Sequence, residues 1–71
     1  MFKKFLDKQT GNAMWVATPS GIFQGRNNYV SDDIFVLEKA FYFTGGAKLS
    51  VGDATILIES VLAWGTTNPS F

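Results

Sequence analysis

Apolar positions recur at helical spacing only once, at the start of the chain. Phe2, Phe5 and Leu6 share one face, Lys3, Lys4, Asp7 and Lys8 take the other, and Gly11 follows as a stop, which predicts a short amphipathic helix. At about two turns it is too short to stand alone and must pack its Phe face on something. Beyond it the pattern becomes that of strands. Asn12 to Thr18 (NAMWVAT) is a β-prone run closed by the turn cluster Pro19-Ser20-Gly21, so it opens a hairpin. The next run, Ile22 to Val30 (IFQGRNNYV), has Gly25 in its interior, the mark of a sharp bend or of close backbone approach. After the polar break Ser31-Asp32-Asp33 comes Ile34 to Thr44 (IFVLEKAFYFT), the strongest strand in the chain. Strict alternation puts Ile34, Val36, Ala40 and Tyr42 on one side and Phe35, Leu37, Phe41 and Phe43 on the other, so both faces need cover.

Gly45-Gly46-Ala47-Lys48 reads as a loop, Leu49-Ser50-Val51 re-enters pairing, and Gly52-Asp53 interrupts it. Two short strands then follow, Ala54 to Ile58 and Val61 to Trp64, parted only by Glu59-Ser60. Such apolar runs suit strands buried on both faces, inside a sheet or at a subunit contact. The polar, Pro-bearing stretch Gly65 to Phe71 (GTTNPSF) ends the pattern, which places one domain over 1–65 and a loosely ordered tail over 66–71.

A chain of 71 residues buries only about 60% of the surface it exposes when unfolded, so its core needs a supplement. With no Cys and no His, disulfides and thiolate or imidazole metal sites are excluded, as is any nucleophile–His device, leaving oligomerisation. Apolar residues at 46% and aromatics at 15% exceed what so small a body can hide, so part of that load is expected to face a partner copy. Six basic residues balance six acidic ones, which argues against a basic nucleic-acid clamp. Among Asp32, Asp33, Asp53, Glu38 and Glu59 no spacing identifies a reacting pair, and Gly45-Gly46-Ala47-Lys48 is too short for a phosphate loop; the chain reads as a non-enzyme without cofactor. No apolar run matches a signal peptide or approaches the roughly 18 residues of a membrane span, so a cytoplasmic location away from membranes is expected.

A short helix, five strands in meander order, a bent second strand and a nearly loopless step between the last two strands resemble the Sm-like (Lsm) RNA-binding family. Gly21, Gly25, Asp32 and Asp33, then Ile34-Phe35-Val36-Leu37-Glu38, look like its first motif; Thr55-Ile56-Leu57-Ile58, Glu59-Ser60 and Val61-Leu62-Ala63-Trp64 look like its second. The resemblance spans Phe2 to Gly65 and implies an all-β fold: a small, strongly bent five-stranded antiparallel barrel with an N-terminal α-helix. It also implies a homo-oligomeric ring of about five to eight subunits that binds RNA, or single-stranded DNA, in RNA processing or turnover. The departures bear on function. The Asn with which the family reads a base is replaced by Asp33 or lies elsewhere, Glu59 and Ser60 stand in place of Arg-Gly, and Gly21 and Gly25 are one residue closer than usual. Glu repels phosphate and has no π surface, so a ring that kept the fold and lost the base pocket, a structural or assembly component such as one of a virion, is the alternative.

On this reading Tyr29 is either a stacking platform for a base or a sheet-packed core residue. Asp32 and Asp33 can accept hydrogen bonds from base amino groups or hold a cation with Glu59, but turn chemistry explains the pair equally well and no metal is expected. Ser60 completes the pocket positions. Lys3, Lys4 and Lys8 are a solvated helix face that a ring would multiply into a basic circle, and Arg26 either meets RNA or pairs with an acid. Ile56, Leu57, Ile58, Val61, Leu62 and Trp64 are the candidate subunit contact.

Overall fold

The structure, a computed structural model, describes residues 2–66. The tail expected at 66–71 lies outside them apart from Thr66. The helix α1 (Phe2–Lys8) forms where the pattern placed it, with Phe2 and Leu6 buried and Phe5 packed at the edge of the core. Its exposed face carries the i,i+4 pair Lys3–Asp7 at 3.7 Å, which at such exposure adds only about 0.3–0.5 kcal/mol. The chain then folds into β1 (Ala13–Thr18), β2 (Gly21–Val30), β3 (Ile34–Thr44), β4 (Ala47–Leu57), a 3-10 turn (Ile58–Ser60) and β5 (Ala63–Gly65). All neighbours are antiparallel, in one five-stranded sheet of order β4-β3-β2-β1-β5. β4 and β5 are thus its two edges, and α1 closes one end, with Phe2 edge-on to Phe35 at 5.5 Å.

The bend falls at Gly25, where the β2–β3 register shifts between Gln24 and Arg26. A Cβ there would lie 3.0 Å from the Glu38 carbonyl oxygen and 3.1 Å from both Ala40 Cα and Leu37 Cβ, so only glycine lets β2 cross this closely. The β3–β4 connection shrinks to Gly45-Gly46, both at positive φ as a tight primed hairpin turn requires, and Ala47 and Lys48 belong to β4.

Three expectations are corrected. Gly52-Asp53 does not interrupt β4. Gly52, at φ 70, pairs with Ala40, and one extra residue on each strand is absorbed as a bulge beside Lys39, at φ 52. That bulge reverses the alternation of β3: Ala40 joins Phe35 and Leu37 in the core, while Phe41 and Phe43 turn outward opposite Gln24 and Ile22. The last strand is Ala63–Gly65 and not Val61 to Trp64, because Val61 donates to the Ile58 carbonyl to finish the 3-10 turn and Leu62 donates to Ala17 on the way in.

The core comprises Phe2, Leu6, Met14, Val16, Phe35, Leu37, Ala40 and Ile56. One polar side chain, Asn27, is fully buried with them: its Nδ2 donates to the Leu6 carbonyl at 2.9 Å, and its Oδ1 has no hydrogen-bond partner among the described residues. Its backbone accepts from Gly11 and donates to Asn12, so Asn27 ties the helix end to β2. Asn27→Ala would remove this tie while leaving the Leu6 carbonyl its bond from Gln9 N–H, at a cost of about 0.5–1.5 kcal/mol, partly offset because the unpaired Oδ1 goes too. A urea titration should show the midpoint fall at constant slope; a rise would mean that the unpaired oxygen outweighs the bond.

Candidate nucleic-acid interface

The β2–β3 loop is pinned at both ends. Ser31 N–H donates to Ile34 O at 2.9 Å, and the Asp33 carbonyl accepts from Ile58 N–H at 2.9 Å, which draws the acidic loop against the 3-10 turn. Asp32, Asp33 and Glu59 come together with Leu57 and Ile58 around a cleft of about 360 Å³. The two halves of the expected pocket, 26 positions apart in sequence between Asp33 and Glu59, therefore do meet. The cleft has three carboxylates and no basic residue in its lining, so it favours hydrogen-bond donors and repels phosphate. Among the described residues no group of three His, Cys, Asp or Glu is close enough to hold a metal ion, these carboxylates included.

The remaining pocket residues lie elsewhere. Ser60 commits its hydroxyl to the Leu57 carbonyl at 2.7 Å and lines a separate groove with Thr18, Phe23 and Thr55. Tyr29 is 54% exposed opposite Val36 on β2 and does not line the acidic cleft. Arg26 pairs with Glu38 through Nε and a terminal guanidinium nitrogen. Lys4 and Lys8 are exposed on α1, and Lys3 faces Asp7.

The edge strands carry the apolar load that composition assigned to a partner. Leu57 and Leu62 are 52% and 70% exposed, and Trp64 is partly so while resting on Phe2 at 4.8 Å and Phe5 at 6.1 Å. Ile58 and Val61 pack partly against the core. Ile56 needs correction: it is buried in its own subunit, because alternation on β4 turns it inward when Leu57 faces out, so only its backbone edge can meet a partner. Leu49 and Val51, which the sequence reading places in a pairing strand without a role at a subunit contact, are also exposed on β4.

Neither the protein-family models nor the curated proteins contain a match to this chain. Solved structures do. A heptameric archaeal Sm protein is 18% identical with a TM-score of 0.79, over 92% of this chain and 98% of that one. An Sm protein of Pyrococcus abyssii, solved in complex with a uridine heptamer, is 22% identical with a TM-score of 0.77, over 92% and 96%. The LSM domain of the Dm enhancer of decapping 3 is 19% identical with a TM-score of 0.66, over 89% and 63%. The chain has the Sm-like fold.

Proposed function

We propose that this chain assembles through its two unpaired strand edges into a closed homo-oligomeric ring, and that the ring binds single-stranded nucleic acid. The observation that carries the reading is the pair of free edges, β4 and β5, lined by exposed Leu57, Leu62 and Trp64. Unpaired apolar edges template association, and a head-to-tail contact between two different edges repeats until it closes. Likeness to a heptameric Sm protein and to one bound to a uridine heptamer supports a ring and RNA as the first ligand. A ring of about five to eight subunits, single-stranded DNA as the second ligand and a non-enzymatic role in RNA processing or turnover complete the proposal. Among the described residues no helix is long and apolar enough to cross a membrane. The acidic cleft favours one other reading, a structural ring without nucleic acid.

Fluorescence anisotropy with an oligo-uridine separates the two. The wild type should bind with salt-dependent affinity, at a slope of about −0.7 per phosphate bound. Glu59→Arg should strengthen binding, since it removes a repulsive charge from the cleft and supplies a stacking cation. Tyr29→Ala should weaken it by about 1–3 kcal/mol per stacked base without loss of folding, given its exposure. Absence of binding at low salt by an intact ring would leave the structural reading.

A further inference from the structure

The charges of this chain are sorted by place. Of its six basic residues, Lys3, Lys4 and Lys8 are on α1, and Arg26, Lys39 and Lys48 are on the bent strands β2, β3 and β4; the cleft at Asp32, Asp33 and Glu59 has carboxylates as its only charged groups. Two grooves lie on the outer face of these strands. One, of about 350 Å³, is lined by Ile22, Phe43, the Gly45-Gly46 turn and Lys48. The other, of about 300 Å³, is lined by Gln24, Arg26, Glu38, Lys39 and Phe41. Each contains an aromatic ring and at least one cation, and they adjoin through Phe41 and Phe43, two apart on β3 and so about 6.6 Å apart along the strand.

The cations are placed, not merely present. The Lys48 ammonium sits 4.3 Å from the Phe41 ring centre and 5.8 Å from that of Phe43, so it is seated across both rings with part of its side-chain freedom already spent. Arg26 is oriented by its bond to Glu38, which leaves guanidinium donors over. Lys39 is the single non-glycine residue with positive φ among the described residues, at the bulge that turns Phe41 outward. A left-handed lysine at a bulge is a conformation kept against its intrinsic cost, and bulges commonly re-aim a side chain at a working surface.

We propose that single-stranded nucleic acid runs across this outer face, with bases on Phe41 and Phe43 and phosphates on Lys48, Lys39 and Arg26, while the acidic cleft stays off the phosphate path. The inference rests on the nucleic-acid reading above and changes where the strand lies. Charge complementarity selects the occupant: three cations against the carboxylates of Glu38, already paired with Arg26, and Asp53, across the bulge from Lys39, leave the face net basic and, interleaved with π faces, suit a phosphodiester strand with stackable bases. A ring would repeat the face once per subunit and so sum its field.

The test compares an oligoadenylate, an oligo-uridine and a poly-glutamate peptide by anisotropy, using the full chain with ring size checked by sedimentation. Lys39→Glu/Lys48→Glu, both exposed positions, should weaken oligoadenylate binding about tenfold or more and flatten the salt slope by about 0.7 for each phosphate no longer neutralised. Phe41→Leu, which keeps apolar cover but removes the π face, should weaken it about five- to tenfold at unchanged slope. Wild-type binding that both variants leave intact, with Tyr29→Ala abolishing it, overturns the outer-face path and spares the function. A ring that binds neither oligonucleotide overturns both. Poly-glutamate bound as tightly as RNA through the same lysines would make the face an acidic-protein site and end the proposal.

Discussion

Leu62→Lys is expected to abolish the assembly while leaving the fold of the subunit intact. Leu62 is 70% exposed in the isolated chain and its backbone N–H is already bonded to Ala17, so an ammonium there stays in water and disturbs nothing within one copy. Leu62 directly precedes the β5 edge, so in a ring built edge to edge it would face the neighbour's β4, where Leu57 is exposed. Burying a lysine charge there without a partner costs several kcal/mol at one subunit boundary, and a closed ring repeats that cost at every boundary. Sedimentation velocity should show the oligomer abolished at micromolar protein, with far-ultraviolet circular dichroism still reporting strands. An unchanged oligomer would place the subunit boundary elsewhere.

The second large effect is Phe35→Ala, expected to cost about 3–5 kcal/mol. Phe35 is fully buried, Phe2 stands edge-on to it, and Phe2 in turn packs on Trp64, so one ring supports the core, the helix and the β5 edge together. For 71 residues the whole stability is about 4–10 kcal/mol, so this single truncation removes much or all of it. The urea midpoint should collapse, and the oligomer should weaken with it because Trp64 loses its backing. A shift worth less than about 1 kcal/mol would mean that the helix and sheet repack freely around the cavity, which close-packed interiors rarely allow.

Much of this fold was legible because local chemistry and tertiary structure agree. Gly25 in a strand signalled a bend, and the register shift is there; Pro19-Ser20-Gly21 signalled a turn, which closes before Gly21, and Gly45-Gly46-Ala47-Lys48 a loop, which shrinks to Gly45-Gly46. Reading failed where one residue could serve either of two ends. Gly52-Asp53 has the composition of a break, yet a glycine at positive φ also makes a bulge, and only pairing with β3 decides between them. From that one bulge follows the reversed face of Ala40, Phe41 and Phe43, so the outer-face grooves could not be seen from alternation alone. Asn27 was silent for a different reason: its partner, the Leu6 carbonyl, is 21 positions away. The acidic cleft was legible as a juxtaposition of Asp32, Asp33 and Glu59, whereas the exposure of Tyr29 was not, since a strand tyrosine can face either way.

The most direct test is sedimentation velocity of the wild-type chain with a fluorescently labelled single-stranded RNA, followed at both the protein and the label wavelengths. Two free edges and a basic, aromatic outer face predict one boundary at about five to eight times the 7.8 kDa subunit, unchanged across micromolar concentrations and carrying the label at low salt. A folded species sedimenting at 7.8 kDa, with the RNA left behind as a separate slow boundary, would contradict it.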